Sequence, residues 1–428
     1  VGDPARPEEH AVSSRRAPRE LTAERLADFL ANAGRQLLTY ACPAHRLEET
    51  LTDLAKRFGC VAEVFCVPSG LWLSVARPGD SAPPVVRLAR VGRWSMNLDR
   101  LAALDELFDD VAAGRVDLDT AEDTLMALVA RPRPWRQSHE WAAGAAAGAA
   151  AVVLYGGRWA EAVMGAGLGL ALAVLSTLVA AQHHARHLGP FVFGALSAST
   201  AWLAASISPE LATQPLVVAG LIQFVPGTTL TVGLSELVQK NIVSGTGRLL
   251  DAMMVLLSMV FGVMLVVGLA QAMGVHTDFL ARRRIEPVPL AALALGMLAA
   301  GASFAVIARV PRRWLVLALG GCLVAGASIE ASRVYFPEVA LCTFFGALAT
   351  GLYANACARW TRRPAQLFLV PGMVLLVPGM FGFMSFGRLF TGDIEAGAAG
   401  AFQTLMVGAA LATGIVAANT TLPPRKSL

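Results

Sequence analysis

The residues whose types and spacing could do chemistry lie between Leu216 and Val238, where an apolar run is broken at Pro226-Gly227 and followed by Thr228, Thr229, Thr231, Ser235 and Glu236. The stretch has the length of a membrane-spanning helix, yet proline lacks an N–H and clashes with the preceding turn. Carbonyls before Pro226 therefore lose helical partners, and the N–H groups just after Gly227 become the free first turn of a new half-helix. In lipid each unmet group costs several kcal/mol, roughly, so such breaks survive mainly where they line a cavity, with the half-helix N-terminus facing an anion such as a carboxylate. A plain proline kink satisfied by neighbouring helices is the competing reading.

A second copy of the signal favours the cavity. Leu369-Val370-Pro371-Gly372 echoes Phe224-Val225-Pro226-Gly227 at an offset of 145 residues, and Val377-Pro378-Gly379 follows almost at once. Free half-helix N-termini are thus expected after Gly227 and after Gly372 or Gly379.

The elements that must position these breaks are read from composition and periodicity. The chain is 55% hydrophobic with a mean hydropathy of +0.56, which indicates residence in a membrane. Residues 1–140 nevertheless carry 39 of the charged side chains and residues 141–419 only 25, so a soluble N-terminal domain precedes the membrane part. The net charge of +4 sits in loops between apolar segments and in the tail, with no basic stripe interleaved with aromatics, and no nucleic-acid partner is expected.

Residues 1–20 read as a disordered leader, without the apolar region of a signal peptide; the absent initial Met suggests a trimmed chain. Residues 21–130 read as a small α+β domain. Two amphipathic helices (Thr22 to Tyr40, and beyond Pro43 to Phe58) precede strands over Cys60 to Val67, Leu71 to Val75 and Val85 to Val91, with a turn at Pro68-Ser69-Gly70. Asn97 caps a helix ended by Gly114, and a shorter helix runs from Thr120 to Ala130. A stiff basic linker, 131–140, follows.

About ten spans are expected, five in a first unit (141–273) and five in a second (287–419), joined by a loop over 274–286 and ended by the tail 420–428. Arginine and lysine favour the loops on the side of both termini, the run Arg282-Arg283-Arg284 excepted, so both termini are expected in the cytoplasm. An odd number of spans per unit makes the second inverted relative to the first, with a binding site near mid-membrane where the two breaks meet.

Taken together these residues resemble the threonine/serine exporter family. The likeness rests on Arg46-Leu47-Glu48-Glu49-Thr50, on Val64 to Leu71, on the Leu98 to Gly114 helix, on Val225-Pro226-Gly227 with the later Ser244-Gly245 and Arg248, and on the doubled Val-Pro-Gly of the ninth span. Departures are Ser69 for Thr, Val232 for a polar residue, Glu236 for Asp and Lys240-Asn241 for Gly-Asp. The resemblance implies secondary, proton-driven export of small hydroxyl amino acids across the inner membrane by a non-enzyme without cofactors. Its partners are then the amino acid, protons and membrane lipid, with a homo-oligomer left open.

On this reading the substrate-binding set is Gln223, Pro226, Gly227, Thr228, Thr229, Thr231, Pro371, Gly372, Pro378 and Gly379. The carboxylate would meet the Thr228 and Thr229 N–H groups, the ammonium the carbonyls before Pro226, and the hydroxyl Gln223 or Thr231. Glu236 and Asp251 are the proton-coupling candidates, Glu236 near the inner end of its span where snorkelling relieves its cost and Asp251 as a helix-start acid beside Arg248. Arg388 is an interfacial anchor or an outer attractant for carboxylate. Three rivals are weighed. One is a metal cluster at His183, His184 and His187, outweighed by a solvated loop; another is a membrane-tethered hydrolase or sensor, with Ser69, His45 and Glu48 available in the soluble domain but no Gly-x-Ser-x-Gly elbow, so that a regulatory or gating domain is favoured; the third is an uncoupled channel. The cysteines, with Cys60 and Cys66 about 20 Å apart on one strand, are read as reduced.

Overall fold

The computed structural model describes residues 22–92, 95–182, 185–208, 210–274 and 288–424. The leader, His183 and His184, the loop run Arg282-Arg283-Arg284 and the extreme tail lie outside the described residues.

In the first part, α1 (Ala23–Thr39) and α2 (Ala44–Arg57) cover one face of an antiparallel sheet of order β1-β2-β3 (Val61–Val67, Gly70–Ala76, Val85–Arg90). Leu26, Leu30, Leu37, Leu47, Leu51, Leu71, Leu73 and Val75 are buried between them, as alternation along the strands and helical spacing along α1 and α2 require. The β1–β2 turn is the two-residue Pro68-Ser69, since Val67 pairs with Gly70. Asn97 accepts from the Arg100 N–H at 3.1 Å and starts α3 (Leu98–Ala112), and Asp117 caps α4 (Leu118–Ala130) in the same way.

Beyond residue 136 the described chain is helical: α5 (Gln137–Leu154), α6 (Trp159–Ala181), α7 (Gly189–Ile207), α8 (Thr213–Leu221), α9 (Gly227–Val238) and α10 (Ile242–Ala272). Then come α11 (Leu290–Ile307), α12 (Leu315–Arg333), α13 (Val339–Thr361), α14 (Gln366–Met373), α15 (Gly379–Phe390) and α16 (Ile394–Thr421). Seven of these are long and apolar enough to cross a membrane: α6, α7, α10, α11, α12 with its leading 3-10 turn, α13 and α16. The other three expected spans do not qualify singly. Helix α5 spends its first turn on the polar run Gln137-Ser138-His139-Glu140, and the pairs α8/α9 and α14/α15 are each interrupted.

The helix pattern repeats with a step of 152 residues, which carries Gly227 onto Gly379 and Ile242 onto Ile394. This corrects the expected offset of 145. Pro371 lies inside α14, whose chain continues to Met373, and the second break falls at Pro378. Helix α10 also begins a turn and more ahead of the expected Leu249, because Ser244, Gly245 and Arg248 are buried against α9 and the helix must carry them.

The two parts are joined by specific bonds. The first-turn N–H groups of Leu98 and Asp99 donate to the carbonyls of Ala308 and Arg309 (2.9 and 3.1 Å), so α3 starts where α11 ends. Trp135 donates from Nε1 to the Val310 carbonyl (2.8 Å), with the Arg312 guanidinium over its ring, and Arg309 pairs with Glu140 at 3.0 Å. The linker tryptophan thus docks on the α11–α12 turn.

Candidate functional site

The two breaks touch. A Cβ added to Gly227 would lie 2.0 Å from Val377 Cγ1, and one added to Gly379 would lie 2.4 Å from Val225 Cγ1 and 3.2 Å from the Gly227 Cα. Each glycine therefore faces the valine that precedes the other's proline, a reciprocal contact that any side chain would abolish. Neither half-helix has a side-chain cap. The Gly227 N–H turns back to the Val225 carbonyl at 2.7 Å, and the Pro226 carbonyl accepts from Leu230.

Three cavities follow one another past this crossing, each sharing lining residues with the next. The first, about 120 Å³, lies between the N-terminal domain and the membrane helices, with Thr228, Thr231, Val232, Ser235 and Gln239 along one wall. Positions 228, 231, 235 and 239 share one face of an α-helix, which is why the hydroxyl-bearing stripe of α9 turns to the cavity as a unit. A second cavity, about 140 Å³, sits at the crossing itself and is bordered by Gln223, Gly227, Thr228, Val377 and Gly379. A third, about 310 Å³, extends from Ile222, Val374, Val377 and Met380 to Glu330 and Arg333, whose exposed ion pair marks the surface on the other side. Thr228 borders the first two cavities.

The expected site residues sort accordingly. Gln223, Gly227, Thr228, Thr231 and Gly379 line cavity surface, and Gln223 also donates to the Gly169 carbonyl at 3.0 Å. The Thr231 hydroxyl donates to the Gly227 carbonyl, tying the first turn of α9, and leaves its lone pairs to the cavity. Pro226 and Pro378 stand at the N-cap positions of their half-helices without a side-chain capping bond, and Thr229 is buried without bordering these cavities. Pro371 and Gly372 are not at the crossing. An added Cβ on Gly372 would meet the Gly321 carbonyl oxygen at 2.7 Å, so its role is close packing of α14 on α12.

Glu236 does not sit in a wet inner end of its span. It is fully buried, its Oε2 accepts from Arg248 Nε at 3.1 Å, and its Oε1 accepts from the backbone N–H of Ala44 at 2.9 Å. Pro43, preceding Ala44, offers no capping side chain, so α2 of the N-terminal domain is capped by a carboxylate from α9. Asp251, expected beside Arg248, is instead exposed. Arg248 turned toward α9 because a buried carboxylate demands a cation more strongly than a wet one does.

Other residues at the site escaped the sequence reading. Asn355 donates to Asn419 Oδ1 and to the Leu422 carbonyl, both at 2.9 Å, and both asparagines border the first cavity with Gln366 of α14. Uncharged amides near the ends of apolar helices were the available signal. Glu161, buried at the start of α6, accepts from the Ala212 N–H at 2.7 Å and fixes the entrance to α8. Of the rival hydrolytic set, Glu48 is bonded to the Cys66 N–H, Ser69 is exposed on its turn, and His45 lines the first cavity. Burial pushes the Cys42 thiol up to about 12 and the Cys66 thiol higher, which makes both poor nucleophiles.

Comparison with known proteins bears on the same residues. The family described as "Putative threonine/serine exporter" matches residues 28–270, and the one described as "Threonine/Serine exporter, ThrE" matches residues 293–421. A protein of Mycobacterium tuberculosis named "Probable threonine/serine exporter" is 24% identical over 93% of this chain and 76% of its own length. "Uncharacterized protein C16A10.01" of Schizosaccharomyces pombe is 22% identical over 86% of this chain and 45% of its own length. No solved structure matches the chain significantly. With a family match running from within α1 to the end of α10 and a second covering α11 to α16, this multi-pass membrane protein belongs to the threonine/serine exporter family.

Proposed function

We propose that the protein is a secondary exporter of small hydroxyl amino acids, threonine or serine, driven by the proton gradient across the cytoplasmic membrane. The observation that carries this reading is the line of three cavities, from the N-terminal domain through the crossing of α8/α9 with α14/α15 to the exposed Glu330–Arg333 pair. In this reading each interrupted pair serves as one span and α5 as another, which completes ten. The 152-residue step then relates two five-span units of opposite sense, with the termini and the N-terminal domain in the cytoplasm.

The substrate carboxylate takes the uncapped N–H groups of Thr228 and Thr229 at the start of α9, Gln223 meets its hydroxyl from the crossing cavity, and Thr231 does so from the first cavity, one turn along α9. A site built to bond a hydroxyl rejects alanine because its polar groups would be left unpaired. Glu236 is the better of the two coupling candidates. A proton arriving on its carboxylate would remove the charge that holds Arg248 and weaken the acceptor for Ala44, loosening α9 and the N-terminal domain together.

Efflux of labelled threonine and serine from proteoliposomes tests this. Wild-type protein should release both faster when a pH difference is imposed, and Thr228→Val, inserted normally, should lose most of that rate. Glu236→Gln, which leaves Arg248 buried without its counter-charge, should be less stable and its residual efflux should not respond to the gradient, and Asp251→Asn should behave as wild type. Equal efflux by wild type and Thr228→Val would remove the half-helix site.

A further inference from the structure

The first cavity contains two polar atoms that the fold leaves unmet. Gln366 Oε1 and His45 Nδ1 are buried without a hydrogen-bond partner among the described residues, and both side chains line this cavity. A carbonyl oxygen can only accept, and burying it without a donor is unfavourable. Burial, with the charge of Arg46 alongside, holds the His45 imidazole down to about 4, so it is neutral, and in the tautomer with its proton on Nε2 the unmet Nδ1 is an acceptor. Beside it, the half-buried Arg46 guanidinium borders the cavity and forms no ion pair among the described residues. The neighbouring wall is already committed: Asn355 is bonded to Asn419, and the Gln239 amide nitrogen donates to Ser235.

Two acceptors and an unpaired cation in one enclosure describe the complement of a zwitterion. We propose that this cavity is a second binding site, for a small zwitterionic α-amino acid, to which the N-terminal domain and the membrane helices each contribute: Gln366 and His45 receive the ammonium, Arg46 the carboxylate. Val232 faces the same space and supplies an apolar wall where a substrate methyl can rest. The proposal rests on the exporter reading for the identity of its ligand, but it is separate from the crossing, whose lining includes neither His45, Arg46 nor Gln366. It makes the N-terminal domain part of the substrate path.

The test uses the purified full chain, labelled threonine as probe, and two measurements: binding stoichiometry in detergent and the concentration dependence of efflux from proteoliposomes. Wild type should hold two threonines per chain. Gln366→Leu and Arg46→Gln should hold one, and should raise KM for efflux roughly tenfold while leaving kcat within about twofold, because the lost contacts serve loading and not passage. Arg46→Lys should recover part of the affinity.

Analogue competition on wild type needs no variant to fold. N-acetylthreonine and threonine methyl ester, each lacking one charge, should both displace threonine poorly from one of the two sites of the wild type. Full competition by either analogue at both sites of the wild type overturns the proposal. So does a wild-type stoichiometry and KM in Gln366→Leu and Arg46→Gln when wild type transports. If wild type binds two threonines, one of them lost in Gln366→Leu, yet moves none across the bilayer, the exporter reading fails and the second site stands.

Discussion

Both carboxylate oxygens of Glu236 are engaged inside protein, one by Arg248 and one by the N–H of Ala44, a residue 192 positions away. Removing one member of such a pair leaves the other charge buried and unmet, which costs about 3–5 kcal/mol, whereas replacing both with apolar groups of similar size is often neutral. Arg248→Met should therefore lower the melting temperature of the purified protein sharply, and Glu236→Leu with Arg248→Met should restore most of it. Thermal unfolding in detergent, followed by tryptophan fluorescence, checks this. His45 is informative in a different way. Its folded pKa lies below the ordinary histidine value of 6.5, so the unfolded chain takes up a proton first as pH falls. Its contribution to stability is whole above about 6.5 and is lost as pH falls toward about 4. Imidazole resonances of the full chain should include one that stays neutral to below pH 5 and that disappears in His45→Gln.

Among the elements, the interrupted helices set the geometry. Gly227 and Gly379 are required by proximity, since each would drive a Cβ into the opposing valine at 2.0 and 2.4 Å. Gly227→Ala should abolish transport with insertion intact, and Val377→Ala in the same chain should restore a measurable part by clearing the colliding methyl. Efflux rates normalised to inserted protein decide it. These positions also show what could be read in advance. The first break was legible because proline and glycine act locally, and so were Asn97 as a cap and the alternating strands of the N-terminal domain. The second break was ambiguous because Pro371 and Pro378 offer the same local signal. Only tertiary packing distinguishes them, with Gly372 pressed on the Gly321 carbonyl and Gly379 on Gly227. Arg248 was assigned to Asp251 for a related reason: spacing on one helix names neighbours, but the partner that wins is the one that cannot reach water. The contribution of His45, Arg46 and Gln366 to one cavity had no sequence signal, because it joins segments some 320 residues apart.

Over the whole molecule, the N-terminal domain is fastened to the membrane helices at separated points: α3 to the end of α11, Trp135 to Val310, Arg363 to Glu106, and Ala44 to Glu236. If the cavities form one path, a cysteine replacing Gln239 should react with an impermeant thiol reagent only from the side of that domain. One replacing Glu330 should react only from the opposite side, and one replacing Val377 slowly from both. Labelling of right-side-out and inside-out vesicles reads this directly.

The bond from Ala44 to Glu236 carries a consequence for direction. On the proposed export reading, a solute approaching past Glu330 would meet only helix ends among the described residues, while one approaching past Gln239 would pass beneath a folded domain bolted to the very rod it must squeeze by. On the same reading, tilting that roof would unseat a buried acid and recharging the acid would pull the roof back down, so that traffic in the two senses would be mechanically unequal through a single carboxylate shared by α9 and α2.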